Sequence, residues 1–472
     1  MNISILKYIS SKAIRLYFAA LAVVSVLFFS YSMKWYWFVI GAISVVGFFN
    51  YAPKLTHSWE RYTPRLFEKK LFCTALIIRV IFVILSYFFY LGMTGQPFEY
   101  GAADAAGYHG EASWLADMIK NGDISPYIKY IENEGGGVSD LGYNVWLGIQ
   151  YVITSKSIII ARIIKALLSA WTCVSIYRLA SRNFGESVGR LAAIFCVLMP
   201  NLIHYCGLHV KETEMVFLTV LFVERADLLL RQSKINIKLL LTVLLVGLVL
   251  FTFRTVLGAV SFLALFLALV LSSRKIVGTG KKIVLGVFVV MFMGLSIGDR
   301  ISREVEEILL ESSTNQSTSM AWRAEREGGN SFAKYAGVAV FAPMIFTIPF
   351  PTAVETPDHE NQRMIHGGNF VKNITSFFTI FALFTLFMSG DWRKHVLPLM
   401  FICGYLLVIA MSSFAHSERF HMPALPFALM FAAYGISKLE KKHQRWFSIW
   451  LGFMFVAFVA WSWFKLAGRG LL

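Results

Sequence analysis

Long apolar runs separated by short basic turns cover most of this chain. About thirteen of them approach the roughly 20 residues that an α-helix needs to cross the hydrocarbon core of a bilayer. The clearest runs are Ala13–Tyr31, Lys34–Tyr51, Leu71–Leu91, Ile158–Ala180, Val188–Tyr205, Met215–Leu230 and Val371–Ser389. The others are a pair around Arg254, a run ending near Gly298, two runs flanking Ser412–His421, and a last run at the end of the chain. The pattern predicts an all-α polytopic membrane protein in which residues 1–472 form a single integral membrane domain.

The composition favours the same class. Hydrophobic residues make up 57% of the chain and charged residues only 15%, whereas a soluble protein carries about 25% charged residues. The five cysteines lie in or beside apolar runs and form no CxxC pair. We therefore expect them to be small buried hydrophobic side chains, and not disulfides or metal ligands.

The formal net charge of +16 could suggest a nucleic-acid partner. However, the lysines and arginines lie in short loops between apolar runs, and this distribution indicates membrane topology and contact with anionic lipid head groups. It predicts that Lys69 and Lys281 lie inside the cell, and Asp104 and Glu418 outside. We expect an integral protein of a bacterial inner (plasma) membrane, with membrane lipids as partners and no nucleic acid.

The first long polar stretch, residues 95–140, is predicted to be the first extracytoplasmic loop. Asp104, Tyr108, His109 and Glu111 fall within about two helical turns of one another. The surrounding composition predicts a helix that stops at Asn121–Gly122, and the apolar segment Gly142–Ile153 is too short to span the bilayer. We expect both to be helices lying at the outer surface. Carboxylates can act as general bases, so we expect this loop to form the active site of a membrane enzyme.

Three further outer regions bring cations to the same predicted membrane face. They are the short turn at residues 206–214, the long loop at residues 299–370 and the loop at residues 412–421. The long loop contains an apolar re-entrant or surface segment at 336–350, and Arg254 lies near the outer turn of a helix pair. Arginine and lysine can stabilise the negative charge that grows on a departing phosphate. The candidate substrate-binding residues are Tyr108, His109, Lys211, Arg254, Arg323, Arg363, His416 and Arg419. Carboxylates beside these cations suit a reaction in which an acceptor hydroxyl loses a proton while a phosphate departs.

Several motifs resemble a known superfamily. They are DAAGYHGEA in the first loop, RNFGE after a helix, YCGLHVKE at the second outer turn, and ERFHMPALPF near the end of the chain. This order resembles the GT-C glycosyltransferases, specifically the family 39-like relatives of protein mannosyltransferases and aminoarabinose transferases. The resemblance is strongest over about residues 158–230, while the first two predicted helices and residues 299–370 match no part of it.

The resemblance implies a catalytic aspartate at Asp104 and a second acidic position at Glu212. It also implies a polyprenyl-phosphate-linked sugar donor, inversion at the sugar, and a glycan, lipid or protein acceptor. Many relatives have adjacent acidic residues in the first loop, whereas Asp104 is followed here by Ala105. Glu111 is the other candidate for a second catalytic carboxylate. Because of this departure, the sequence does not decide whether a divalent metal ion takes part.

Two alternatives remain at this stage. A polysaccharide polymerase or O-antigen ligase would act on lipid-pyrophosphate glycans and would use outer-loop arginines such as Arg323 and Arg363. A lipid or solute transporter would need charged residues within the spans and broken helices in paired halves. Two of the candidates also have a structural interpretation. Arg254 could extend its guanidinium group to the membrane interface, and Lys211 could bind a lipid head group as an anchor.

Overall fold

The computed structural model describes residues 3–133, 139–274, 276–296, 316–326, 329–357 and 360–472. Within these ranges the regular structure is helical, and the only β pairing is an isolated bridge between Ser32 and Val354. Residues 299–315 of the predicted long outer loop lie outside the described ranges.

Twenty-one α-helices occur in the described ranges. The first half of the chain contains α1 Ile3–Leu27, α2 Trp35–Trp59, α3 Pro64–Thr94, α4 Ala103–Asn121, α5 Ser125–Asn133, α6 Leu141–Thr154, α7 Ile158–Phe184, α8 Glu186–Leu198, α9 Pro200–His204 and α10 Glu212–Arg231. The second half contains α11 Ile237–Phe253, α12 Thr255–Leu271, α13 Thr279–Ser296, α14 at 316–325, α15 Val338–Met344, α16 Glu360–Met364, α17 His366–Met388, α18 Val396–Met411, α19 Glu418–His421, α20 Leu425–Ser437 and α21 Gln444–Ala467. Short 3-10 turns occupy Phe29–Tyr31, Tyr205–Gly207, Ser331–Tyr335, Asp391–Lys394, Met422–Ala424 and Lys441–His443.

Seven helical stretches of the described chain are long and apolar enough to cross a membrane, and joining α8 with α9 gives an eighth. The helices α11, α12 and α18 are also apolar but shorter. The lengths and composition indicate an integral membrane protein. Each of the thirteen apolar runs found in the sequence coincides with at least one helix. That all thirteen cross the bilayer remains a prediction.

The run Val188–Tyr205, predicted as one continuous helix, is broken. The axes of the two helical segments differ by 52° across Met199. Pro200 begins the second segment, and proline has no N–H with which to continue the hydrogen-bond ladder of α8. The bend directs the chain into the turn at Tyr205–Gly207, which leads to Lys211 and Glu212.

Helices α4 and α6 form a pair whose packing positions the first polar loop. Gly148 of α6 lies so close to α4 that an added Cβ would be 2.8 Å from Leu115 Cδ2. Gly122 stops α4 with a left-handed φ of 75°, as the Asn121–Gly122 pair predicted. On its other face α6 contacts α11, so the start of α4 is held against the helical bundle.

A buried arginine joins three helices of the bundle. Arg79 of α3 is fully buried, and its Nε donates to Ser169 Oγ of α7 at 2.7 Å. Its Nη2 donates to the Cys196 carbonyl of α8 at 3.0 Å. A buried charge of this kind is costly unless it is hydrogen-bonded, so these bonds fix the helices that carry the polar turns.

The predicted sidedness can be tested with single cysteines placed at exposed lysines. Lys69 and Lys238 are expected inside the cell, while Lys120 and Lys129 on the first polar loop are expected outside. Cys73 is the one exposed native cysteine among the described residues and is replaced by serine. A membrane-impermeant maleimide applied to intact cells should label positions 120 and 129 but not 69 and 238. Labelling of positions 69 and 120 from the same side would overturn the predicted topology.

Candidate active site

Arg419 brings together two carboxylates from distant parts of the chain. Its Nη1 donates to Asp104 Oδ2 and its Nε donates to Glu212 Oε1. Asp104 lies in the first turn of α4 and Glu212 in the first turn of α10, where a negative charge interacts favourably with the helix dipole. Sequence reasoning predicted all three residues, and the fold joins them in one cluster.

The two carboxylates have opposite environments. The side chain of Asp104 is 55% exposed, whereas that of Glu212 is 0% exposed. Within the described chain, Glu212 Oε2 is buried without a hydrogen-bond partner, which is uncommon for a carboxylate oxygen. Asp104 can therefore meet a substrate from solvent, while Glu212 is suited to hold Arg419 in place through a charge-assisted bond.

Lys165 of α7 fixes the turn that precedes Glu212. Lys165 is buried and donates to the Leu208 carbonyl at 2.8 Å and also to the Val210 carbonyl. Its ammonium group also lies 3.7 Å from the Glu214 carboxylate. These contacts explain how the YCGLHVKE segment keeps a defined shape, and sequence reasoning did not assign Lys165 to the site.

The segment that carries Arg419 is also anchored. Glu418 is half-buried and accepts a hydrogen bond of 3.4 Å from the Tyr205 hydroxyl. Tyr405 donates to the Phe420 carbonyl at 3.0 Å. Arg419 is thus held between two fixed neighbours, and its side chain is 22% exposed.

Two further predicted cations lie beside the cluster. Lys211 forms an ion pair with Asp140 and donates to the Phe253 carbonyl at 2.8 Å. The Arg254 guanidinium lies 4.2 Å from the ring centre of Phe420, a cation–π distance. Lys211 is within electrostatic range of Arg254, Glu212, Arg419 and Asp104. The cluster is therefore dense in charge of both signs.

Tyr108 lies about one helical turn after Asp104 and is half-buried. Its ring meets that of Tyr143 edge-on, with 4.9 Å between centres. Burial, and next the charge of Glu212, raise the pKa of Tyr108 to about 12. The hydroxyl is therefore protonated at physiological pH and can donate a hydrogen bond to a substrate oxygen.

A cleft of about 630 Å³ opens beside Asp104. Among the residues that line it are Asp104, Tyr108, Glu111, Trp114, Tyr130, Asp140 and Asn144. Glu111 accepts a hydrogen bond of 2.9 Å from Tyr127, and the rings of Trp114 and Tyr130 meet edge-on at 5.6 Å. Aromatic faces beside carboxylates suit a sugar, because its C–H groups pack on rings and its hydroxyls donate to carboxylates.

His109 belongs to a hydrogen-bonded chain that runs into the protein. Its Nδ1 lies 2.7 Å from the Tyr151 hydroxyl, which lies 2.9 Å from His209 Nε2. Burial lowers the pKa of His109, so the neutral ring is favoured. The structure places His109 at the junction of α4 and α6 and not among the residues that line the cleft. Tyr151 and His209 were missed because no local motif links them to His109.

The remaining predicted cations do not line the cleft beside Asp104. Arg363 is buried, pairs with Glu355 at 3.3 Å and Glu360 at 3.0 Å, and donates to the Thr356 carbonyl at 2.7 Å. Its environment is that of a structural ion pair. Sequence reasoning could have noticed that Glu360 precedes Arg363 by three residues on one helix.

Arg323 and His416 lie at a second cavity of about 790 Å³. Arg323 Nη1 donates to the Ser413 carbonyl at 2.6 Å and lies 3.3 Å from His416 Nε2. Burial, and next the charge of Arg323, lower the pKa of His416 to about 3, so its ring is neutral at physiological pH. Lys465 and Arg469 also line this cavity, and sequence reasoning missed both because they lie at the far end of the chain.

The carboxylate cluster does not have the donor set of a divalent metal site. Within the described ranges, no group of three or more His, Cys, Asp or Glu side chains is placed to hold an ion. Asp104 and Glu212 lie on either side of the Arg419 guanidinium, so a metal between them would have to displace this cation. We therefore derive no step through a metal.

Comparison of the chain with protein-family models, curated proteins and solved structures gives no match.

Proposed function

We propose that this chain is a membrane glycosyltransferase that moves a sugar from a polyprenyl-phosphate-linked donor to an extracytoplasmic acceptor with inversion. The observation that carries the proposal is the convergence of Asp104, Glu212 and Arg419 from three segments of the chain. The motifs that resemble GT-C glycosyltransferases single out Asp104 and Glu212, and the ERFH motif contains Arg419. The aromatic and acidic cleft beside Asp104 adds a place for a sugar or a glycan acceptor.

In the proposed reaction an acceptor hydroxyl enters the cleft and donates a hydrogen bond to Asp104. As the acceptor oxygen attacks the anomeric carbon, Asp104 takes its proton. The bond between the anomeric carbon and the phosphate oxygen breaks on the opposite face, and polyprenyl phosphate leaves with the electron pair. Attack opposite the leaving group inverts the sugar. A positioned general base contributes about 10²–10⁴-fold to such a reaction.

Arg419 and Tyr108 have supporting roles in this mechanism. Arg419 fixes the orientation of Asp104, because the buried carboxylate of Glu212 holds the same guanidinium group. The Tyr108 hydroxyl, whose pKa is about 12, donates to an oxygen of the sugar or the acceptor. Correct positioning of reacting groups can account for several kcal/mol of a barrier.

The polymerase or ligase alternative has one observation in its favour. Arg323 and Arg326 line the second cavity together, and paired arginines suit a pyrophosphate group. The transporter alternative is weaker. Glu224 and Asp227, two of the acids within helices, each lie 2.9 Å from Arg182, so they join α7 to α10 as a structural ion-pair network.

The proposal predicts a change in the lipid-linked sugars of the native host. If the chain consumes a polyprenyl-phosphate sugar, cells in which the gene encodes Asp104→Asn should accumulate that lipid relative to wild type. Mass spectrometry of total lipid extracts measures this pool whatever the acceptor is, and the mass of the accumulated lipid identifies the class of sugar.

The matched control for this experiment is Asp117→Asn, because Asp117 lies on the same helix and pairs with Lys156 at the surface. Its lipid pool should equal that of wild type. Accumulation of a lipid-pyrophosphate glycan would favour the polymerase or ligase. Unchanged pools in Asp104→Asn cells with normal amounts of the protein would contradict the proposed function.

A further inference from the structure

The charges around Asp104 are nearly balanced. Arg419 is shared by Asp104 and Glu212, and Lys211 is paired with Asp140. With Arg254 the cluster contains as many cations as carboxylates. Of the three cations, only Arg254 has a buried nitrogen, Nη1, without a hydrogen-bond partner among the described residues. A lipid phosphate arriving here would meet two cations that already have negative partners, so the cluster by itself offers little free positive charge to an anion.

The second cavity has a different charge balance. Its lining includes the cations Arg323, Arg326, Lys465 and Arg469, and none of the described lining residues is acidic. Lys465 donates to the neutral Gln362 Oε1 at 2.9 Å, and Arg323 donates to a backbone carbonyl. Glu418 is within electrostatic range of Lys465 but does not line the cavity. The cations Arg323, Arg326 and Lys465 around one space favour an anion that binds between them.

Much of the remaining wall of this cavity is apolar and aromatic, and Lys465 lies 5.0 Å from the ring centre of Trp461 within it. Trp461 stacks on Phe464 at 5.1 Å and packs against Phe350 at 6.0 Å. Phe332 stacks on Trp463 at 5.9 Å, and the Trp463 side chain is half exposed. These aromatic residues belong to α21, one of the membrane-length helices, and to the loop that packs against it. A free phosphate would leave this wall uncovered, whereas a lipid chain would cover it.

We propose that this cavity binds the head group and the first part of the chain of a lipid phosphate, with the phosphate between Arg323, Arg326 and Lys465. We call it the lipid-phosphate pocket. The inference rests on the proposed function only in naming this lipid as the carrier of the donor sugar. The binding of a lipid phosphate follows from the cations and the aromatic wall.

The pocket lies close to the catalytic cluster along the chain. His416 lines the pocket, and Arg419 follows three residues later, so their Cα atoms are at most about 11 Å apart. A phosphate bound in the pocket would therefore lie near the short segment that carries Arg419. This arrangement separates the phosphate from the base, as attack from the opposite face of the sugar requires.

Binding to the purified full-length protein tests the pocket directly. The probe is a long-chain polyprenyl phosphate, titrated by native mass spectrometry in detergent, with the matching polyprenol and inorganic phosphate as comparison ligands. Wild type should bind polyprenyl phosphate more tightly than either comparison ligand. Arg326→Gln and Lys465→Met should each weaken binding about tenfold or more, the range for a lost hydrogen bond to a charged group.

Lys334→Gln is the matched control, because Lys334 lies in the same loop, stacks on Tyr335 at 5.1 Å and does not line the pocket. It removes one positive charge and should leave binding unchanged. Arg326 is exposed, so Arg326→Gln should fold even if Lys465→Met does not. Equal affinity of wild type and Arg326→Gln, or equal binding of polyprenol and polyprenyl phosphate, would overturn the inference.

The same titration separates this inference from the proposed function. Asp104→Asn should bind polyprenyl phosphate as wild type does. If this lipid binds as expected while host lipid pools are unchanged, the pocket stands and the transferase proposal fails. If pools change but Arg326→Gln binds normally, the transferase proposal stands and the donor phosphate binds elsewhere.

Discussion

Asp104→Asn is expected to lower the rate of sugar transfer by about 10²–10⁴-fold, the usual contribution of a positioned general base. Asparagine keeps the shape of the side chain and can still accept a hydrogen bond from Arg419, but it cannot take a proton from the acceptor hydroxyl. Because Asp104 is mostly exposed, the substitution should not disturb folding. The loss should therefore appear in transfer alone, with binding of polyprenyl phosphate unchanged.

Initial rates of transfer in membranes from the host measure this effect, with equal amounts of each variant. Glu111→Gln is the comparison, because Glu111 lines the same cleft and is the other candidate carboxylate. We expect Glu111→Gln to retain most activity. If Asp104→Asn is as active as wild type and Glu111→Gln is inactive, Glu111 is the base. If both are active, a carboxylate of this loop is not the base.

Arg419→Ala is expected to reduce both stability and transfer. It leaves the fully buried carboxylate of Glu212 without its cation, and breaking a buried ion pair in this way costs about 3–5 kcal/mol. It also releases Asp104, and misplacement of a catalytic group by about 1 Å can cost about 10²-fold in rate. Arg419→Lys should restore only part of each property, because a single ammonium replaces the two-sided guanidinium.

A double variant separates the two effects of Arg419. Adding Glu212→Gln to Arg419→Ala removes both charges, so thermal stability in detergent should recover relative to Arg419→Ala alone. Transfer should not recover, because Asp104 is still unsupported. Two results would contradict this role of Arg419. One is a double variant whose loss of stability equals the sum of the losses of Arg419→Ala and Glu212→Gln. The other is an Arg419→Ala variant with wild-type turnover.

The helices could be predicted from sequence because run length and composition act locally. The stop of α4 at Gly122 follows from the residue's freedom to adopt positive φ. The break before Pro200 was missed, although proline is a strong local signal, because the apolar run continues across it from Val188 to Tyr205. Hydrophobicity reports burial in the bilayer, whereas a bend depends on a single missing N–H.

The candidate site was only partly predictable. Asp104, Glu212 and Arg419 lie in polar segments that the predicted topology places on one face, and this explains why their convergence could be anticipated. Lys465 lies within the last apolar run, where a lysine is easily taken for an interfacial anchor. Its place beside Arg323 depends on how α21 packs against the loop before α17, and a pattern along the chain does not contain that information.

Turnover of the donor by the purified protein tests the central claim most directly. The lipid that accumulates in Asp104→Asn cells is incorporated into liposomes with wild-type protein and an envelope fraction that supplies acceptors, and release of polyprenyl phosphate is followed by mass spectrometry. We predict that wild type converts the lipid to polyprenyl phosphate as labelled sugar enters the acceptor, and that liposomes with Asp104→Asn do so at least about 10²-fold more slowly. The account would be contradicted if wild type left the lipid intact, or moved it unchanged from one leaflet to the other.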